Sequence, residues 1–318
     1  MSDALTSNKL VESVKRRASI PESQATFSKA DFLEFATEEL RLSLVPMLMT
    51  LHEDHLLYEI DIPLEDGKTD YAIPSRAVGS KLRDVQMKHG DNSYQEMTRI
   101  GIGNRFGEYD VTTQTNLRQY YIKNNKVVLV SNSNNIAANS SSLTMVYYIK
   151  PSRMVVEDRV GIITGINRNT GVITLNEVPD NFNISVKYDM YKATSPHSIL
   201  NIDLVAATIN TTTNSITFNV NNIPNDLDIG DHISLAGEAS IPQVPSDLHP
   251  MLAQMIACRV LESIGDGEGL QSATIKLKQM QEAMGMIIDN RVDDSPRKIV
   301  NRHGLVRTSV FSKRFNRS

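Results

Sequence analysis

The sequence predicts an α+β fold in which a helical bundle, built from the N- and C-terminal helices, is interrupted by a central β-rich insertion with hairpins. Apolar residues recur at helical spacing near the two ends of the 318-residue chain, and they alternate in short runs between them. We therefore predict four regions. A flexible N-terminal arm (1–27) precedes a discontinuous helical bundle (28–58 and 246–295). The bundle is interrupted by a β-rich insertion domain (59–245) and followed by a basic C-terminal docking tail (296–318).

The first predicted helix follows a polar arm that shows no clear period. It begins in SKADFLEFATEELRLSL, where Ser28 is placed as the N-cap and Asp31 stands at the capping-box position. Pro46 is expected to kink or end this helix because it lacks a backbone donor. A bent continuation through MLMTLHEDHLL would then lead towards Tyr58.

The central region is predicted to be strands. YEIDIPL, DYAIP, QYYIKNNKVVLV and LTMVYYIK alternate as strands do, with Asn, Gly and Asp between them. INRNTGVITLNEVP (166–179) resembles INTTTNSITFNVNNIP (209–224), with Ile166, Ile173 and Thr174 matching residues 43 positions later. Each copy has an apolar strand, a polar turn and a second strand, so we predict two similar hairpins.

Helices are predicted again after Pro245. Pro250 lies in the first turn of the first one, and Gly265 ends it. GDGEG (265–269) is read as a short turn between helices. The next helix, from about 269 to 291, carries a stripe at helical spacing, made of Ala273, Leu277, Met280, Met284 and Ile287.

The charge of the chain is unevenly distributed. The net charge is −4, but residues 297–318 contain seven Lys or Arg and no Asp or Glu. Removing these seven positive charges leaves a net charge of about −11 on residues 1–296. The acidic body does not suit a nucleic-acid binder, whereas the basic tail requires an acidic partner. No run of 18 apolar residues is present, so we expect no membrane-spanning helix.

Motifs for catalysis or cofactor binding are incomplete. HEDH (52–55) lacks the second His of HExxH, because Leu occupies position 56. GIGNRFG (101–107) has Phe106 where a dinucleotide fingerprint needs its third Gly. GDGEG is too short for an EF-hand loop. We therefore predict that the protein is not an enzyme, and we expect no catalytic residues, no cofactor and no metal.

Two stretches resemble a known family. These are YAIPSRAVGSKLRDV (71–85), preceded by an N-terminal helix and an LYEI-type strand, and HPMLAQMIACRVLESIGDGEGLQSATIKLKQMQEAMGMIIDNRVDDSPRKIVNRHGLVR (249–307). Together they resemble the head-to-tail connector proteins of short-tailed bacteriophages. These are also called neck, adaptor or ring proteins, and the crAss-like phages carry related ones.

The resemblance implies a structural virion protein that folds in the host bacterial cytoplasm and ends in the neck of the virion. Such proteins form a ring, commonly twelve-fold, that connects the portal to the tail and lines the DNA exit channel. The implied partners are copies of the chain itself, the portal protein, the next tail or ring protein and fibre proteins. Double-stranded DNA would pass without sequence-specific binding, and an acidic body suits that passage. No membrane partner is implied.

Two sets of residues are predicted to make contacts in this assembly. Arg76, Lys81 and Arg83 are interpreted as subunit-interface or surface charges, with nucleic-acid contact as the alternative, while Tyr71 and Ile73 pack inward and Pro74 ends the strand. The tail is predicted to dock to the portal or to a neighbouring subunit. Its charges would pair with carboxylates and its two aromatic rings would anchor it, through Arg297, Lys298, Arg302, Arg307, Phe311, Lys313, Arg314, Phe315 and Arg317.

Two alternatives remain at the level of the sequence. The Asn- and Thr-rich hairpins between 160 and 235 are typical of a tail-fibre or receptor-binding adhesin, which would be trimeric. A hydrolase of cell-wall polysaccharide would need paired carboxylates such as Asp180 and Asp189. The spacing of two carboxylates in a sequence does not give their separation in the fold.

Overall fold

A computed structural model describes residues 5–21, 26–51, 53–103, 119–130 and 142–288. Helices lie near the two ends of this part of the chain, and strands fill the region between them. The helices are α1 (Ser7–Arg17), α2 (Lys29–Glu39), a π-helical turn (Leu40–Leu44), α3 (Val45–Leu51), α4 (His249–Ile264) and α5 (Gly267–Ile288).

The described strands form four sheets, which are antiparallel apart from the β5–β6 and β9–β17 pairs. The strand orders are β1-β8-β3-β4, β13-β12-β16-β10-β11-β15-β14, β2-β7-β6-β5 and β17-β9. The strand bounds are β1 Leu57–Pro63, β2 Asp70–Ala72, β3 Ala77–Lys88, β4 Tyr94–Glu96, β5 Thr98–Arg99, β6 Gln119–Lys123, β7 Lys126–Val130, β8 Ser142–Ile149, β9 Arg153–Met154, β10 Gly161–Asn167, β11 Val172–Leu175, β12 Lys187–Tyr191, β13 Ile199–Val205, β14 Thr208–Asn210, β15 Ser215–Thr217, β16 His232–Leu235 and β17 Glu238–Ala239.

The predicted fold class, a terminal helical bundle interrupted by a β insertion, is wrong. The chain is β-rich, with one seven-stranded sheet, and its helices do not form a separate bundle. The core that the helices share also contains Tyr148 of β8 and Met154 of β9. The strands in turn enclose two further large cores and a small cluster of four buried residues. Helical periodicity reports that a face is buried but not what covers it, so it could not distinguish a bundle from helices packed on strands.

The predicted flexible arm needs a correction over residues 7–17, which form α1. Leu10 and Val14 of this helix are fully buried and pack in the helical core against α4. The backbone N–H of Ser7 also donates to the carbonyl of Ser240, 2.7 Å away. An 11-residue helix is marginal by itself, and α1 depends on this packing, which its short apolar pattern did not reveal.

The helix from Ser28 to Leu51 matches the prediction in its start and in its continuation. The Ser28 hydroxyl accepts from the Asp31 N–H while the Asp31 carboxylate accepts from the Ser28 N–H, which confirms the capping box. The chain remains helical past Pro46, because the π-helical turn over Leu40–Leu44 comes just before it and Pro46 lies in the first turn of α3.

The two predicted hairpins are confirmed, and they are related by a local pseudo-two-fold axis. One is β10–β11 and the other is β14–β15, and Ile173 of the first stands opposite its counterpart Ile216 of the second. Both turns are closed in the same way. The side-chain oxygen of Asn167 accepts from the N–H groups two and three residues later, and so does that of Asn210.

The helical hairpin at the C-terminal end of the described chain also matches its prediction. Gly265 adopts a left-handed backbone with φ of 82° and ends α4. The Asp266 carboxylate then accepts from the Gly269 N–H in the first turn of α5. The predicted helix–helix turn is present but shorter than 265–269, because α5 already begins at Gly267. Ala273, Leu277, Met280 and Met284 of α5 face the helical core.

Candidate subunit interface

The segment from Tyr71 to Val85 runs from β2 into β3. Tyr71 and Ile73 are buried, as predicted, and β2 ends just before Pro74. Strand β3 then pairs with β8, but the register shifts between Ala77 and Leu82, where Gly79 and Ser80 have positive φ. This bulge places Arg76 in a different environment from Lys81 and Arg83.

Arg76 lies in the interior, where it joins two sheets. Its Nη1 is 2.7 Å from Oδ2 of Asp189 on β12, and its Nη2 donates to the Ser152 hydroxyl at 3.1 Å. Asp189 is fully buried and also accepts from the N–H groups of Gly237 and Asp203, at 2.8 and 3.0 Å. The carboxylate thus has three donors, and the Arg76 side chain is only 14% exposed. This pair ties β3 to the seven-stranded sheet within one chain.

Lys81 and Arg83 lie at the surface, beyond the bulge. The Lys81 ammonium stands 4.9 Å from the centroid of the Tyr148 ring, and Arg83 pairs with Asp54 at 3.0 Å. Both side chains are exposed, so a neighbouring subunit could contact them while they keep these local contacts. Their interface role stays a prediction, and Arg76 contributes to it only by holding the sheet beneath them.

A groove runs between α1 and α5. It contains a cavity of about 300 Å³ that is lined by Arg17, Ser19, Gln254, Ser272 and Lys276 among others. A more open cavity of about 590 Å³ adjoins it along α1 and shares Arg17 and Lys276. We call these two cavities the α1/α5 groove. Its basic side chains are Lys9, Arg16, Arg17 and Lys276, and Leu261 and Ala273 form an apolar floor.

Arg17 is held in this groove by neutral partners. Its Nη1 donates to Oε1 of the buried Gln254 at 3.0 Å, and its Nε donates to the Ser13 hydroxyl at 3.3 Å. Gln254 is itself fixed, because its Nε2 donates to the Ala273 carbonyl. Burial lowers the pKa of the Arg17 guanidinium. Arg17 has no ion pair with any described residue, and the one described carboxylate lining the groove, Asp266, caps α5.

A second surface lies at one end of the seven-stranded sheet, in the segment between β15 and β16. Its tip, residues 225–229, carries the exposed Asp226 and Asp228 and also Ile229, which is 71% exposed. We call residues 223–231 the acidic loop. Leu227 is fully buried beneath it, and Nη2 of Arg168 donates to the carbonyls of Asn225 and Leu227. Lys192 lowers the pKa of the Asp228 carboxyl, 2.7 Å away. The loop is therefore held by side-chain contacts, and its tip presents the carboxylate of Asp226, without an ion pair among the described residues, beside the apolar side chain of Ile229.

The buried histidines form no metal centre. The rings of His197 and His249 stack with centroids 5.1 Å apart, and Nε2 of His249 donates towards the carbonyls of Pro242 and Val244. Burial lowers the pKa of His249 to about 4, and also that of His232. Among the residues that the structure describes, no three His, Cys, Asp or Glu side chains are grouped to hold a metal ion.

Several predicted sites lie outside the described residues. The nine tail residues from Arg297 to Arg317 belong to this group, as do His52 of HEDH and residues 104–107 of GIGNRFG. Asp189, considered above as one of a catalytic pair, is the buried partner of Arg76. No helix in the described ranges is long and apolar enough to span a membrane.

The chain matches no protein-family model, and no curated protein matches its sequence at a significant level.

Sequence reasoning missed the α1/α5 groove because it read α1 as part of a flexible arm. The signal was present in LVESV, where Leu10 and Val14 are one helical turn apart, but two residues are a weak pattern. The acidic loop was equally visible as NDLDIGD, yet only the structure shows that Leu227 is buried while its neighbour Ile229 is exposed.

Proposed function

We propose that this chain is a structural virion protein that forms a ring in the neck of a short-tailed phage. The ring would connect the portal to the tail and line the DNA exit channel. The observation that carries the proposal is that the two stretches resembling the connector family, separated by 163 residues in the sequence, meet at Val78, although Tyr71, Ile73, Ala77 and Val85 of the first stretch belong to a different core. Val78 of the first stretch contacts the core to which Met251, Leu252 and Ile256 of the second belong.

The distribution of charge supports the same proposal. A channel for DNA must not bind the polyanion strongly, and residues 1–296 carry a net charge of about −11 once the seven tail cations are removed from the total of −4. The tail from Arg297 onward would provide the contact with the portal or with a neighbouring subunit. Arg and Lys side chains there would pair with partner carboxylates, and Phe311 and Phe315 would fill apolar pockets.

Removal of the tail tests this assignment. We expect the full chain to co-sediment with the portal ring of the same genome, and a chain ending at residue 296 to remain in the supernatant with an unchanged circular dichroism spectrum. A full-length variant with Phe311→Ser and Phe315→Ser should bind less than the full chain, because it keeps the charges but loses the anchors.

Equal co-sedimentation of the full and shortened chains would contradict the docking role of the tail. A stable trimer that does not bind the portal ring but binds host cells would instead support the adhesin. The Asn- and Thr-rich hairpin turns at residues 167–170 and 210–213 favour that alternative.

A further inference from the structure

The α1/α5 groove contains a cation that the described part of the chain orients but does not neutralise. Arg17 is fixed by Gln254 and Ser13, both neutral, and is half-buried without a carboxylate partner among the described residues. A guanidinium loses hydration on burial and gains most from a carboxylate in a bidentate contact. Lys276 and Lys9 line the same groove and form no ion pair within the described ranges. The groove thus fits an anionic group.

The acidic loop carries the complementary features. Asp226 and Asp228 are exposed carboxylates, and Ile229 projects beside them from a backbone that Arg168 holds in place. A preorganised loop loses little conformational entropy on binding. An exposed isoleucine at its tip needs an apolar surface, and the groove provides one in Leu261 and Ala273.

We propose that the acidic loop of one copy of this chain inserts into the α1/α5 groove of the next copy. This inference rests on the proposed ring. A closed ring requires two different surfaces on each subunit that fit each other, and one chain here carries both. In this contact Arg17 and Lys276 pair with Asp226, which has no ion pair among the described residues, while Asp228 keeps its pair with Lys192 and Ile229 contacts the groove floor.

Charge and shape favour a second copy over nucleic acid as the occupant. The body of the chain repels a polyanion, and DNA has no apolar side chain to cover the groove floor. The contact is also small. A single loop in a groove buries less than the roughly 1,000 Å² expected of an interface that is stable by itself. The inserted loop therefore suits subunits that assemble only when a template brings them together.

Site-directed cross-linking in the presence of the portal ring tests the contact. Two full-length chains are prepared in a Cys258→Ala background, one with Ser272→Cys in the groove wall and one with Asn225→Cys beside the loop tip. A short bismaleimide should join residue 272 of one chain to residue 225 of another, as mapped by mass spectrometry. Glu177→Cys, an exposed site two residues past the end of β11, is the control for random cross-linking and should give about tenfold less product.

Charge exchange makes the test specific for the proposed pairs. Arg17→Glu with Lys276→Glu in the groove, or Asp226→Lys with Asp228→Asn in the loop, should each reduce the 272–225 product about tenfold or more. Mixing the groove variant with the loop variant should restore much of the 272–225 product, because opposite charges then face each other again. Lys187→Glu, an exposed lysine elsewhere, should have no effect.

The outcomes separate this inference from the proposed function. Absence of the 272–225 product although rings form on the portal would overturn the loop contact and leave the ring intact. Loss of the product on reversing the groove, but not on reversing the loop, would also overturn it, because another acidic segment would then occupy the groove. Absence of both product and ring would contradict the inference and the proposed function together.

Discussion

Replacing Arg76 by Met is expected to lower the free energy of unfolding by about 3–5 kcal/mol, because it leaves a buried carboxylate without its counterion. Asp189 would keep only the N–H groups of Gly237 and Asp203 as donors. Met covers a similar apolar length, so lost packing contributes little. Urea unfolding followed by circular dichroism measures the change.

Arg83→Met is the matched control. This arginine lies in β3, which begins just after Arg76, and it also pairs with an aspartate, but both partners are exposed. Water solvates the remaining carboxylate, so the expected loss is below about 1 kcal/mol. Equal effects of the two substitutions would show that the Arg76–Asp189 pair does not tie the sheets together.

Replacing Gly171 by Ala is the second substitution with a large expected effect, a loss of about 3 kcal/mol. Gly171 has φ of 74°, where an L residue is strained. An added Cβ would also lie 2.1 Å from the carbonyl oxygen of Phe218. The N–H of Phe218 donates to the Gly171 carbonyl at 2.9 Å, so the two hairpins must separate to relieve the clash.

Gly67→Ala separates backbone strain from the clash. Gly67 has nearly the same φ, 76°, but nothing lies within 4 Å of its added Cβ. We expect it to cost about 1 kcal/mol through strain alone. The difference between the two variants in the free energy of unfolding then measures the close approach of the hairpins. No difference would contradict the pseudo-symmetric packing described for β11 and β15.

Local features of this fold could be predicted wherever a single segment determines them. The Ser28 capping box, the Gly265 helix end and the two hairpins depend on residues a few positions apart, and each is confirmed. The arrangement of helices and sheets depends on which buried faces meet. Tyr148 and Met154 join the helical core from distant strands, and nothing in their own segments indicates that partner.

The charged residues show the same limit. Arg76, Lys81 and Arg83 look alike in SRAVGSKLRDV, and the partner of Arg76 lies 113 positions away. Only the fold distinguishes the buried arginine from the two exposed cations. Arg17 likewise follows Lys15 and Arg16 in a segment predicted to be a flexible arm, and only the packing of α1 against α4 distinguishes it from them.

The central claim, a ring in the phage neck, is tested most directly by negative-stain electron microscopy of the purified chain mixed with the portal ring of the same genome. We predict a second ring stacked on the portal, with twelve-fold symmetry and an open central channel. Separate particles in the mixture, and trimers in particular, would contradict the account and favour the adhesin.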